Sequence, residues 1–196
     1  MGEYRLLDSQ ALGRGGFLTL VEERFAAPDG EEFTRWAVLH PGAVAAVPVL
    51  GGPGPDRSVA LLVRQYRPAI RRSVLEVPAG KLDVPGEEPE AAMARELAEE
   101  VQYRPGRLVK LAQFWNSPGF STEFTYVYLA LDLEPCARPE PAKEEEKDMM
   151  IERVALADTG RLVAEGEITD AKSIIGLLLA ERYLSRPGNG PGVRGA

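Results

Sequence analysis

The sequence predicts an α/β layered sandwich in one well-buried domain with a small appendage. Three observations carry this. The chain has 196 residues, 44% of them hydrophobic, enough for a sizeable core. Short apolar runs recur between Gly/Pro-rich turns, which is a strand signal. Amphipathic helical segments interrupt and then close the series, and strands mixed with helices in one domain favour packed layers.

The elements follow in order. "GFLTLVEERF" and "EFTRWAVLH" flank "AAPDGEE", whose Pro-Asp-Gly is a turn signal, so Gly16 to His40 is expected as an antiparallel hairpin. "GAVAAVPVL" and "SVALLVRQY" form a second strand pair around the loop "GGPGPDR", and "VLEVP" is a short strand. "EEPEAAMARELAEEV" is a helix: Pro89 suits its first turn, and Ala92, Leu97 and Val101 supply a buried stripe. "RLVKLAQFW" and "FTYVYLALDL" are strands around "NSPGFSTE". A charged, Pro-rich stretch, "EPCARPEPAKEEEK", precedes a further strand in "DMMIERVAL". "TDAKSIIGLLLAERYL" is a closing helix capped by Thr169 or Asp170. The Gly/Pro-rich end, residues 187–196, reads as a disordered tail.

The totals narrow the function. A net charge of -7 argues against nucleic acid as a partner, because backbone binding needs a basic footprint. It permits phosphorylated small molecules where metal ions bridge the like charges. Cys136 is the single cysteine and has no internal disulfide partner. The longest apolar run near the N-terminus is too short to span a bilayer, so a reduced, cytoplasmic protein without membrane contact is expected.

One segment breaks a helix rule. Glu96, Glu99 and Glu100 share a helical turn with no Lys beside them. Like charges three or four residues apart cost a helix roughly 0.2–0.5 kcal/mol per pair. The C-terminal end of the macrodipole adds to the penalty for Glu99 and Glu100. Glu87, Glu88 and Glu90 lie at the favourable end and need no special explanation. A solvated acidic face is the plain alternative. A divalent cation resolves the conflict, since magnesium prefers oxygen ligands from a few carboxylates together with substrate phosphates. Gly80 lets the preceding backbone pass close to the helix, so the Ala79 carbonyl can join the shell.

This stretch resembles the Nudix box, on Gly80, Glu87, Arg95, Glu96, Leu97, Glu99, Glu100 and Tyr103. Two departures are present. Six residues separate Gly80 from Glu87, one more than in the family pattern, and Gln102 replaces the usual glycine after the glutamate pair. Neither removes a candidate ligand. The resemblance implies a Nudix-type α/β/α sandwich with a mixed sheet over residues 42–186. It also implies a homodimer in which the N-terminal β segment, residues 1–41, crosses to its partner. Glu96 and Glu100 become the principal metal ligands, with the Ala79 carbonyl. Glu99 is a further ligand or the partner of Arg95. Magnesium is the implied cofactor, with manganese or zinc as substitutes.

From Phe33 to Tyr183 the likeness favours the ADP-ribose pyrophosphatase branch. "VRQYRPAIRRSVLEVPAG" is similar to the run before the box there, which makes Arg67 a candidate substrate contact and Arg64 a second. Pro118 stands fifteen residues beyond Tyr103 (118 − 103), where that branch carries a proline, and Gly119 follows it. "EEEKDM" resembles the loop with the catalytic base, placing the base at Glu146 with Glu145 second. "GEITDAKSIIGLLLA" is similar to the branch's last helix. Trp36 offers a wide π face to a purine, with core or dimer packing as its competing role. The expected activity is magnesium-dependent hydrolysis of ADP-ribose, a small-molecule nucleotide substrate, to AMP and ribose 5-phosphate. The alternatives are a broader nucleoside diphosphate-sugar or nucleotide pyrophosphatase and a Nudix-like module that binds ADP-ribose without cleaving it.

Overall fold

The computed structural model describes residues 2–52, 54–139 and 148–189. It forms two sheets. The smaller holds β1 (Arg5–Gly15), β2 (Leu18–Ala26) and β3 (Glu32–Leu39), all antiparallel in that order. β2 and β3 are the expected hairpin. Their Pro-Asp-Gly turn closes with Gly30 N–H donating to the Ala27 carbonyl at 2.9 Å. β1 is an addition to the expectation. Its sequence, RLLDSQALGRG, lacks a clean alternation because bulges shift the register between Leu6 and Asp8 and between Ala11 and Gly13. Each bulge resets the two-residue period on which strand recognition rests.

The larger sheet has seven strands: β4 (Ala43–Gly51), β5 (Ser58–Arg67), β6 (Arg72–Glu76), β7 (Ala79–Lys81), β8 (Tyr103–Trp115), β9 (Phe124–Pro135) and β10 (Met150–Ala155). The order is β10-β5-β4-β9-β8, with β6 on β5 and β7 on β4. Among the described residues of this sheet only β4 and β9 pair in parallel, so the sheet is mixed. β8 lies at an edge, which is why Pro105 is tolerated inside it.

Helices cover both faces: α1 (Pro89–Glu100) on one side, α3 (Ala171–Leu184) on the other, with the short α2 (Thr159–Ala164) beside α3. The strands show why. Val44 and Ala46 of β4 join Leu61, Val63, Tyr128 and Ala130 beneath Ala92, Met93, Leu97 and Val101. The alternate residues Ala45, Val47 and Val49 join Leu62, Val127, Leu129 and Leu131 beneath Leu177, Ala180 and Leu184. A strand buried on both faces reads as continuous apolar sequence, as "AVAAVPVL" does. α3 sits tightly on the sheet at Gly176, where a Cβ would lie 3.1 Å from both Val47 and Val127. Its cap is Asp170, whose carboxylate accepts from Ser173 N–H at 2.9 Å.

The two sheets are joined through the loop after β8. Val38 N–H donates to the Phe120 carbonyl at 2.7 Å, and Thr122 N–H to the Val38 carbonyl at 3.0 Å. Among the described residues, no helix is long and apolar enough to cross a membrane.

Candidate active site

α1 delivers the acidic turn to a buried place. Glu96, Glu99 and Glu100 are only 6%, 7% and 6% exposed, so this is not a solvated face. No basic residue stands in the last turn of the helix. Arg95 faces the cluster: Nη1 donates to Glu96 at 2.7 Å and to Glu99 at 3.4 Å, while Nε and Nη2 grip Glu87 at 3.1 and 3.0 Å. One guanidinium therefore serves three carboxylates, and the hydrogen bond it donates to Glu87, with a smaller contribution from Glu96, is the main reason its pKa is raised. The same bond holds the Glu87 carboxyl below its usual value.

Past the helix, Gln102 takes a left-handed conformation with φ 61°. The position that carries glycine in the family pattern keeps its geometry here, at a cost of roughly 1–2 kcal/mol for a residue with a Cβ. Its carbonyl accepts from Cys136 N–H at 2.9 Å, which ties the helix end to β9.

Pro78-Ala79-Gly80 leads into β7, which pairs with β4 through Ala79–Ala45 and Gly80–Val44. Ala79 N–H donates to Glu100 Oε2 at 3.0 Å. A Cβ at Gly80 would fall inside the Glu96 carboxyl group. Backbone and glutamates are thus in direct contact, and only glycine permits it. Gly80→Ala is expected to displace Glu96, costing about 1–3 kcal/mol of stability from overpacking and weakening metal binding with it. Thermal unfolding in chelator and a manganese titration check this; wild-type values in both would contradict the contact.

The donor set fits a hard divalent cation: carboxylate and carbonyl oxygens, without Cys or His. Two positive charges would offset the negative charge gathered at this end of the helix. Among the described residues no three acidic, His or Cys side chains are already grouped to hold an ion; Glu96 and Glu99 both contact Arg95.

The other candidates fall in separate places. Arg67, at the end of β5, grips Glu76 in a fork, Nε at 2.8 Å and Nη2 at 2.7 Å. That hydrogen bond chiefly raises its pKa, and Glu100 and Asp170 add to it. Burial acts to raise the Glu76 pKa, but Arg67 and Lys172 outweigh it and hold the carboxyl below its usual range. Arg64 is forked onto Glu152 of β10, at 2.5 and 3.4 Å. Trp36, Pro118 and Gly119 line one groove of about 360 Å³ with Tyr4, Phe33 and Phe120. Trp36 is 60% exposed, and its Nε1 donates to Glu22 at 2.7 Å. The carboxylates of α1 are not among the groove's walls. Glu145 and Glu146 lie outside the described residues.

Sequence reasoning missed two features. Glu87 is read as a charge suited to its helix end and as a position of the box, with no partner assigned, whereas it shares Arg95; the box spacing was the available signal. Glu76 and Lys172 meet across 96 residues, and nothing local announces such a pair.

What separates this molecule from other layered sandwiches is one helix that gathers its acids at the unfavourable end and lays them against a glycine, the arrangement of a Nudix hydrolase. The chain belongs to the NUDIX domain family, whose model matches residues 39–174. It is 36% identical over 173 residues to an ADP-ribose pyrophosphatase of Bacillus subtilis, covering 87% of this chain and 89% of that protein. It is 38% identical over 176 residues to an ADP-ribose pyrophosphatase of Mycobacterium tuberculosis, covering 90% and 82%. A crystal structure of an "ADP compounds hydrolase" superposes with a TM-score of 0.79 over 94% of this chain and 95% of that one, at 22% identity, a likeness of fold.

Proposed function

We propose that the protein hydrolyses the diphosphate of ADP-ribose, giving AMP and ribose 5-phosphate. The observation that carries this is the buried Glu96, Glu99 and Glu100 cluster set against Ala79 and Gly80, in a chain with two ADP-ribose pyrophosphatases among its relatives.

In this reading Glu96, Glu100 and the Ala79 carbonyl would hold magnesium, for which manganese or zinc could substitute, and Glu99 would join them or stay with Arg95. An ion held there would supply charge neutralisation for the diphosphate and Lewis acidity toward its oxygens and the attacking water. Arg95, through Glu87, Glu96 and Glu99, fixes the orientation of the carboxylates. Arg67 binds the diphosphate or the terminal ribose, with Arg64 beyond it. The base rests in the groove of Trp36, Pro118 and Gly119, stacked on the indole whose ring Glu22 orients. Glu146, or Glu145 beside it, takes the proton of the water as its oxygen bonds to phosphorus and the bridging P–O bond breaks.

A panel of ADP-ribose, nucleotide sugars, dinucleotides and nucleoside triphosphates at equal magnesium tests the substrate. ADP-ribose is expected to be cut fastest, because a compact triphosphate leaves the terminal-ribose contacts unfilled, and unpaired polar groups penalise it. Preferred cleavage of triphosphates, with ADP-ribose untouched, would sink the assignment and spare the family.

Residues 1–41 are proposed as the dimerisation segment and 42–186 as the hydrolase unit. Tyr4, Leu6, Leu12 and Phe17 are exposed on or beside the three-stranded sheet, an apolar set that a second copy of this chain would cover. Light scattering is expected to give twice the 21.3 kDa chain mass; a fully active monomer would exclude it. The reducing cytoplasm is the proposed compartment, which suits the free Cys136. Fractionation of the source cells that recovers the protein elsewhere would overturn that placement.

A further inference from the structure

The proposed mechanism uses Arg67 but leaves the charged groups packed behind it without a task. Glu76, at the end of β6, is 2% exposed and carries two cations, the Arg67 fork and Lys172 Nζ on Oε2. Lys172 also stands 3.0 Å from Asp170 Oδ1. The other Asp170 oxygen accepts from Ser173 N–H at 2.9 Å and from its hydroxyl at 2.5 Å. The Ser173 hydroxyl, its proton committed to Asp170, accepts from Val77 N–H at 2.8 Å in a fully buried position.

Two consequences follow from these bonds. Arg67 and Lys172 balance Glu76 and Asp170, so the cluster is neutral as a unit. Because Arg67 uses Nε and Nη2 on Glu76, the plane of its guanidinium is fixed and Nη1 is the edge left for an anion. The backbone ahead of β7 is held at each of three successive residues. Val77 N–H goes to Ser173 of α3, the Pro78 carbonyl accepts from Ala46 N–H of β4 at 3.0 Å, and Ala79 N–H goes to Glu100 of α1.

We propose that Glu76, Lys172 and Ser173 are positioning residues, through which the first turn of α3 sets both the Arg67 fork and the Ala79 carbonyl for a metal-bound diphosphate. This gives the "TDAKS" segment a task at the site, and it rests on the readings of Arg67 and Ala79 given above. The groups act through other residues: Lys172 as the second cation that keeps Glu76 in place under Arg67, Ser173 as the fastening of the 77–79 backbone. Residues one step removed from a metal or reacting group typically change affinity or activity by about 10–100-fold when replaced.

The test uses the full chain with Lys172→Met, Lys172→Arg, Ser173→Ala and, as a control, Arg67→Ala. Three quantities are measured: kcat and KM for ADP-ribose, manganese binding to the substrate-free protein by electron paramagnetic resonance, and thermal unfolding in chelator. Lys172→Met is expected to raise KM about tenfold, the lower end of that range, with kcat less affected and Lys172→Arg restoring most of the loss. Ser173→Ala is expected to weaken manganese binding by a similar factor. Ser173→Cys, which is close in shape but a poor acceptor, replaces it if the alanine variant does not fold. Lowered unfolding temperatures with KM and manganese affinity both unchanged would make the cluster purely structural and overturn the proposal. If Arg67→Ala leaves KM unchanged, the Arg67 reading fails, and the manganese titration of Ser173→Ala alone decides the clamp. A wild-type protein that binds no manganese removes the metal reading and the clamp with it.

Discussion

Glu100→Gln is expected to lower kcat by at least about a hundredfold at saturating magnesium, since even residues one step behind a metal ligand cost about 10–100-fold. The fold should survive. Glu100 is 6% exposed, and its Oε2 accepts from Ala79 N–H at 3.0 Å, a bond that a glutamine carbonyl can keep. Removing one negative charge from the end of α1 also relieves repulsion worth roughly 0.2–0.5 kcal/mol per helix pair. The metal-free variant should therefore unfold at the wild-type temperature or slightly above it. Steady-state kinetics and unfolding in chelator check the two halves of the prediction. Near-normal turnover at saturating magnesium would take Glu100 out of the ion's ligands.

Glu146→Gln is expected to lower kcat by about 10²–10⁴-fold, the usual worth of a positioned general base. Magnesium and substrate affinity should stay nearly unchanged, because the proton is taken only on the way to the transition state. The assignment comes from the likeness of "EEEKDM" to the family's loop, as the glutamates lie outside the described residues. Parallel kinetics of Glu145→Gln separate the neighbours. A large loss in Glu145→Gln with Glu146→Gln near wild type would move the base by one residue.

Much of the fold was legible because its elements obey simple periods. α1 shows its apolar stripe at Ala92, Leu97 and Val101, all in one core cluster. β4 reads as an unbroken apolar run because the sheet is covered on both faces. β1 escaped because its bulges break the alternation and most of its side chains are exposed. β7 escaped because three residues are too few to show a period, and its pairing with β4 is a long-range fact.

The site was legible to a similar depth. The crowding of Glu96, Glu99 and Glu100 and the closeness of Gly80 can both be read locally, one from helix spacing and one from a missing Cβ. The left-handed turn at Gln102 follows from the glycine it replaces. The bonds of Glu76 to Lys172 and of Val77 to Ser173 cannot be read that way. They join residues 96 apart, and the serine and lysine types that make them are ordinary in a first helical turn.

In the proposed reading, carboxylates misplaced for a helix would hold a metal that the cleavage of a diphosphate requires. That reading is tested most directly by incubating the purified protein with ADP-ribose, with magnesium or with chelator, and separating the products. AMP and ribose 5-phosphate in equal amounts with magnesium, and neither with chelator, is the predicted result. A folded protein that releases no AMP with magnesium, manganese or zinc, or releases it equally well in chelator, would contradict the account.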